Sequence, residues 1–168
     1  MWWFAVLTMA PPAWASCSNI PGDAPRLPAP KAPFEHEARI EGMVARWRVE
    51  ETTWVVQLEA KTRGWVVLGT NQVNDIVGAN LFFGWQTDGV GGAAHHIVNA
   101  PGRHGPVARS EVALLGSHQT AEGTTVRLRV PAPTLDKAHG AWLVLAWSQA
   151  PELDHHSAVR RHVHVQME

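Results

Sequence analysis

The chain has 168 residues, 14 basic against 15 acidic, for a formal charge of −1, which is enough for one domain with extensions and a core that needs no staples. A balance this close to zero argues against a nucleic-acid partner or an anionic membrane surface, and a single cysteine, Cys17, excludes an intramolecular disulfide. Ten histidines and nine tryptophans against no tyrosine are the features of composition that point toward chemistry.

The N-terminal run MWWFAVLTMAPPAWASC precedes the first charged residue, Asp23. An apolar stretch broken by Pro11 and Pro12 and closed by Ala13-Trp14-Ala15 has the form of a secretory h-region with its cleavage signature. It is too short to cross a bilayer as a helix. Residues 1–16 are therefore read as a signal peptide, and the chain as secreted or periplasmic. Trp14-Ala15-Ser16-Cys17 also has the spacing of a bacterial lipobox, with Trp14 where an aliphatic residue is usual. Cys17 is then either a lipidated first residue or a plain thiol in a leader. Residues 17–33 hold Pro21, Pro25, Pro28, Pro30 and Pro33; such a Pro/Ala-rich stretch cannot sustain a hydrogen-bond ladder and reads as an extended linker. The folded domain is read as 34–168.

Within that domain the recurring signal is the short alternating run. Met43 to Glu50 puts Met43, Ala45, Trp47 and Val49 on one face and Arg46 and Arg48 on the other, the pattern of a half-buried strand. Further strand-like runs cover 53–60, 64–70, 79–87, 93–99, 111–115, 124–130, 140–148 and 159–167, with turn residues between them. Pro131 to Ala138 is at most a helical turn. The expected fold class is all-β: a two-sheet antiparallel sandwich, immunoglobulin-like in architecture, of about nine to eleven strands. Its expected core includes Trp47, Leu58, Trp65, Val67, Leu81, Leu128, Leu143 and Leu145, with Arg127 on a face where substitution costs far less.

The histidines come in pairs. His155-His156 sit in ELDHHSAVRRH, a polar loop between the last two strands, and adjacent residues point different ways, so one faces a pocket and the other faces solvent or Asp154. His95-His96 in GGAAHHIVN go to opposite faces of a strand. His162 and His164, two apart in RRHVHVQ, share a strand face with Arg160 and Gln166, a spacing that suits either a metal or a solvated face. No cysteine pair or carboxylate cluster completes a zinc site. Trp65, Trp85, Trp142 and Trp147 fall in apolar runs and serve either the core or a ligand face. No nucleophile elbow, phosphate loop or dinucleotide fingerprint is present, so the chain is read as a binding module and not as an enzyme.

Taken in order, Trp47-Arg48-Val49, then Thr62-Arg63-Gly64-Trp65-Val66-Val67-Leu68-Gly69, then Gly78-Ala79-Asn80-Leu81-Phe82-Phe83-Gly84 resemble the opening half of a DOMON domain. Gly123 to Leu128, Leu143 to Ser148 and the closing Asp154 to Arg161 resemble its second half. The resemblance implies a sandwich of ten or so strands. It also implies haem b held between a loop methionine and a late histidine for electron transfer with a membrane or periplasmic redox partner. In other members it implies a haem-free module that binds carbohydrate; a protein ligand is the further alternative here. The late histidine corresponds to His155 or His156, which would be the haem iron ligand. The methionine position is occupied by Ile76, which has no lone pair for iron. Haem would then be five-coordinate, or would take a second donor such as His95, His96 or Met43, the last of these reading first as core.

Overall fold

The computed structural model describes residues 27–133 and 140–166. The leader, Cys17 and most of the Pro131–Ala138 segment lie outside the described residues. Eleven strands and no helix occur among them: β1 (His36–Ile40), β2 (Met43–Glu50), β3 (Thr53–Ala60), β4 (Val66–Asn71), β5 (Asn80–Thr87), β6 (Val90–Ala100), β7 (Arg103–Pro106), β8 (Ala113–Gln119), β9 (Thr124–Pro131), β10 (Ala141–Trp147) and β11 (Val159–Val165). They form two antiparallel sheets, β1-β2-β3-β9-β8 and β11-β10-β4-β5-β6-β7. The fold is therefore the expected all-β two-sheet sandwich. Two strands were not evident from the alternation. HEARI of β1 is mostly polar, and RHGP of β7 carries a glycine and a proline, residues depleted in strands.

Alternation explains the five-stranded sheet. Met43, Ala45 and Trp47 of β2, Trp54, Val56 and Leu58 of β3, and Val126, Leu128 and Val130 of β9 face inward against Val66, Leu68, Phe82, Leu143, Leu145 and Trp147 of the other sheet. Trp47 and Trp54 stack with ring centroids 5.7 Å apart. Each such side chain, fully buried, contributes about 1.5–3 kcal/mol of transfer free energy.

The six-stranded sheet breaks the alternating rule, because β4, β5 and β10 read VVLG, LFFG and LVLA with hardly a polar position. Unbroken apolar runs mean burial on both faces. The outward-facing set, Trp65, Val67, Ala79, Leu81, Phe83, Val98, Val144 and Ala146, forms a second apolar cluster, to which Ile76, Trp85, Ala94 and Leu153 add partly buried contacts. All eight core residues expected from the sequence are buried, but Trp65, Val67 and Leu81 belong to this outer cluster and not to the layer between the sheets.

On the far side of the sandwich, residues 27–33 run across the outer face of the five-stranded sheet. Arg127 Nη1 donates to the Pro28 carbonyl at 2.7 Å, and its Nε and Nη2 donate to Gln57 Oε1. Arg48 Nη1 donates to the Ala32 carbonyl at 3.2 Å, and its guanidinium lies 5.8 Å from the Phe34 ring centre. Arg127 is consequently 7 % exposed and Arg48 8 %. The expectation of a solvated Arg127 fails because the described end of the linker covers it, and that end is strapped to the body, not extended away from it.

Candidate functional site

The outer apolar cluster forms the floor of a cleft. Trp65 and Val67 from the β4 side, Leu81 and Phe83 from β5, Val98 from β6 and Val144 and Ala146 from β10 line its base. Gly102, Arg103 and His104 of the β6–β7 hairpin form one wall, and Asp154, His155, His156 and Ser157 form another, with Ile76 and Arg160 completing it. The cleft holds about 620 Å³ of space free of atoms, its open mouth included, within the range typical of small-ligand sites.

Each wall is held for a local reason. The loop after β10 is tied to the strand beside it: Ser148 N donates to Trp65 O at 3.0 Å, Trp65 N to Ala150 O at 3.3 Å, and Ala158 N to Trp147 O at 2.8 Å. Ser148 Oγ donates to His156 O at 3.2 Å, Trp65 Nε1 donates to Glu152 O at 3.0 Å, and Thr62 Oγ1 donates to Ser148 O. Gly64 makes this approach possible, since a Cβ there would lie 2.3 Å from Ser148 O and 2.4 Å from Ala150 O. The loop bearing Ile76 is an Asx turn in which Val77 N donates to Asp75 Oδ1 at 2.9 Å, while Asn71 Nδ2 donates to Asp75 O and Val77 O. It re-enters β5 through Gly78 at φ +84°, a left-handed conformation that L side chains rarely adopt.

The histidines separate as adjacent strand residues must. His96 pairs across from Leu81 and faces the outer cluster; His95 pairs across from Phe82 and faces the layer between the sheets. His95 Nε2 lies 3.0 Å from Asn80 Oδ1 and its ring packs 4.6 Å from Phe82, so it is outside the cleft. Met43 is 2 % exposed in the same inter-sheet layer and cannot serve the cleft. His162 and His164 lie on the outer face opposite Val144 and Trp142. His162 Nδ1 is 2.8 Å from Asn74 Oδ1, which ties β11 to the Ile76 loop, and the His164 ring packs against Trp142 at 4.9 Å. Trp147 is an inter-sheet residue whose Nε1 donates to Glu41 O at 2.9 Å.

The structure thus brings together His155, His156 and Ile76, although Ile76 is some eighty positions earlier in the chain. It also adds His104, which sequence reasoning missed. His104 Nδ1 lies 2.7 Å from His96 Nδ1, and both rings pack on Phe83. Burial holds His96 below the ordinary histidine range, helped by the proximity of His104 and His95; burial lowers His95 in the same way. Arg103 and Arg160 make no side-chain ion pair among the described residues, so two cations and the single carboxylate of Asp154 stand at the cleft. No group of three or more His, Cys, Asp or Glu side chains that could hold a bare metal ion occurs among the described residues. An apolar floor with imidazole and guanidinium groups at its rim suits a ligand with a broad apolar body and anionic ends.

No protein-family model and no curated protein matches the chain.

Proposed function

We propose that the chain is an exported DOMON-type binding module whose outer-sheet cleft takes haem b and serves electron transfer with a membrane or periplasmic redox partner. The observation that carries this reading is the convergence of His155, His156 and Ile76, the positions suggested by resemblance, on one cleft with an aromatic and aliphatic floor. The donor set fits the cofactor. Trp65, Phe83, Leu81 and Val144 would meet the macrocycle, one of His155 and His156 would offer iron an imidazole nitrogen, and Arg103 and Arg160 would neutralise two carboxylates. When bound, haem supplies a one-electron couple; the chain's own contribution is to hold it in a low-dielectric slot and exclude water. Carbohydrate suits the floor less well, because the one indole N–H there, Trp65 Nε1, is already donated to Glu152 O.

Titration of the purified protein with haemin tests the reading. Expected are a saturable one-to-one change in the haem absorption spectrum and loss of that spectrum's protein-ligated form in either His155→Ala or His156→Ala, but not in both. Failure of the wild type and of Ile76→Met alike to take up haemin would sink the proposal and leave the haem-free carbohydrate- or protein-binding module in its place. Uptake by Ile76→Met alone would keep the fold reading and remove haem from the native chain.

A further inference from the structure

We infer that His104 supplies a second imidazole to the ligand of this cleft, so that haem is held between His104 and one of His155 and His156, with His96 as the residue that positions His104. The inference rests on the haem reading above and replaces the donor that Ile76 lacks.

Three observations carry it. The first is topological. His155 and His156 lie in the loop that leaves β10, whereas His104 lies on β7, and β4, β5 and β6 run between those strands. Those intervening strands, with the Trp65 that leads into β4, supply Trp65, Val67, Leu81, Phe83 and Val98, most of the floor. Four strand spacings separate β10 from β7, roughly 19 Å between backbones at about 4.8 Å each. The imidazoles therefore enter from opposite sides of the floor, as two axial ligands of a flat macrocycle standing on it must.

The second observation is the bond between the two rings. Two neutral imidazoles joined Nδ1 to Nδ1 at 2.7 Å share a single proton, so one ring donates and the other accepts. With His104 as donor, its Nδ1–H is engaged and its Nε2 carries the free lone pair. Metal-ligating histidines are held in this way, the second ring nitrogen donating to a fixed acceptor that sets the tautomer and raises the basicity of the ligand. His96 is suited to accept, because it is part-buried on the outer face against Phe83 and has its other neighbours in Leu81 and Pro106. Burial and the neighbouring rings keep His96 in its neutral, lone-pair-bearing form.

The third is elimination among the other donors. His95 and Met43 face the layer between the sheets, and His162 reaches Asn74 at the far edge of the Ile76 loop. Among the described residues that line the cleft, the imidazoles are His104, His155 and His156.

Electron paramagnetic resonance and absorption spectra of the haemin-loaded full chain test the assignment. Expected for the wild type is a six-coordinate, low-spin ferric signal and slow or absent carbon monoxide binding after reduction. His104→Ala should retain haem, become high-spin, bind carbon monoxide readily, and return to low spin when free imidazole is added. His104→Gln, which keeps a polar side chain of similar reach, guards against misfolding and should give the same high-spin signal with a far-UV spectrum unchanged from wild type. His96→Ala should leave the iron six-coordinate yet raise its reduction potential, since His104 then loses its acceptor and becomes a poorer donor; an unchanged potential would remove His96 from the assignment. A wild type that is already high-spin and indistinguishable from His104→Gln overturns the role of His104 while leaving haem binding intact. Absence of haemin uptake by the wild type overturns both.

Discussion

A proton arriving at His95 finds no acceptor to receive it. Nε2 is committed to Asn80, and Nδ1 is buried without a hydrogen-bond partner among the described residues, so charging the ring would leave an N–H unsatisfied. Burial lowers the affinity of His95, His96 and His162 for protons. The unfolded chain, titrating in the ordinary histidine range, then binds protons that the folded chain refuses, and the linkage has a definite sign. This contribution to stability is complete above the ordinary value of about 6.5 and is lost as pH falls below it. Thermal melts between about pH 7.5 and pH 5.5 should show a falling Tm, and His95→Gln should flatten that slope. Glu37 acts in a separate window. A hydrogen bond from Arg39, reinforced by Arg46, lowers its pKa against the opposing effect of burial, so its stabilisation is lost only as pH falls below the ordinary carboxyl range. The paired histidines were visible in the sequence, but their roles were not. Alternation sends His95 and His96 to opposite faces without saying which face is closed, and His104 stands alone between Arg103 and Gly105 with no pattern to mark it.

Strands β2, β3, β9 and β10 follow from their side-chain pattern almost to the residue, because one polar and one apolar face leave no freedom in register. β4, β5 and β10 announce burial but not its geometry: a run such as LFFGW gives no indication that Phe82 faces one layer and Phe83 another. The proline-rich segment misleads for a different reason. Its composition forbids a ladder of its own, yet its free carbonyls at Pro28 and Ala32 accept from Arg127 and Arg48, and composition does not record where acceptors go. Arg127→Met should therefore be more costly than a surface change. It removes a buried hydrogen-bond donor set, leaves Gln57 Oε1 and Pro28 O without it, and is expected to cost about 1–3 kcal/mol in chemical denaturation. Limited proteolysis should then cut within residues 27–33 faster than in the wild type; an unchanged rate would mean the segment is held by something other than this arginine.

The two sheets are stitched together by pairings that are distant in the chain. Thr53 to Ala60 pairs with Thr124 to Pro131, and Val66 to Asn71 with Trp142 to Trp147, so neither sheet closes until most of the chain has been gathered. Loop-closure entropy is spent before those contacts repay it, and stopped-flow refolding is expected in the millisecond-to-second range typical of such topologies; refolding within microseconds would contradict the order of strands. The same layering gives the molecule a front and a back. The strap at 27–33 lies on the outer face of one sheet, and the cleft opens on the outer face of the other, with the two sheets packed about 10 Å apart between them. A force transmitted through residues before Leu27 therefore acts on the back of the sandwich. Wherever those residues are fastened, the cleft faces away from the fastening, and whatever exchanges with it must approach from the opposite side.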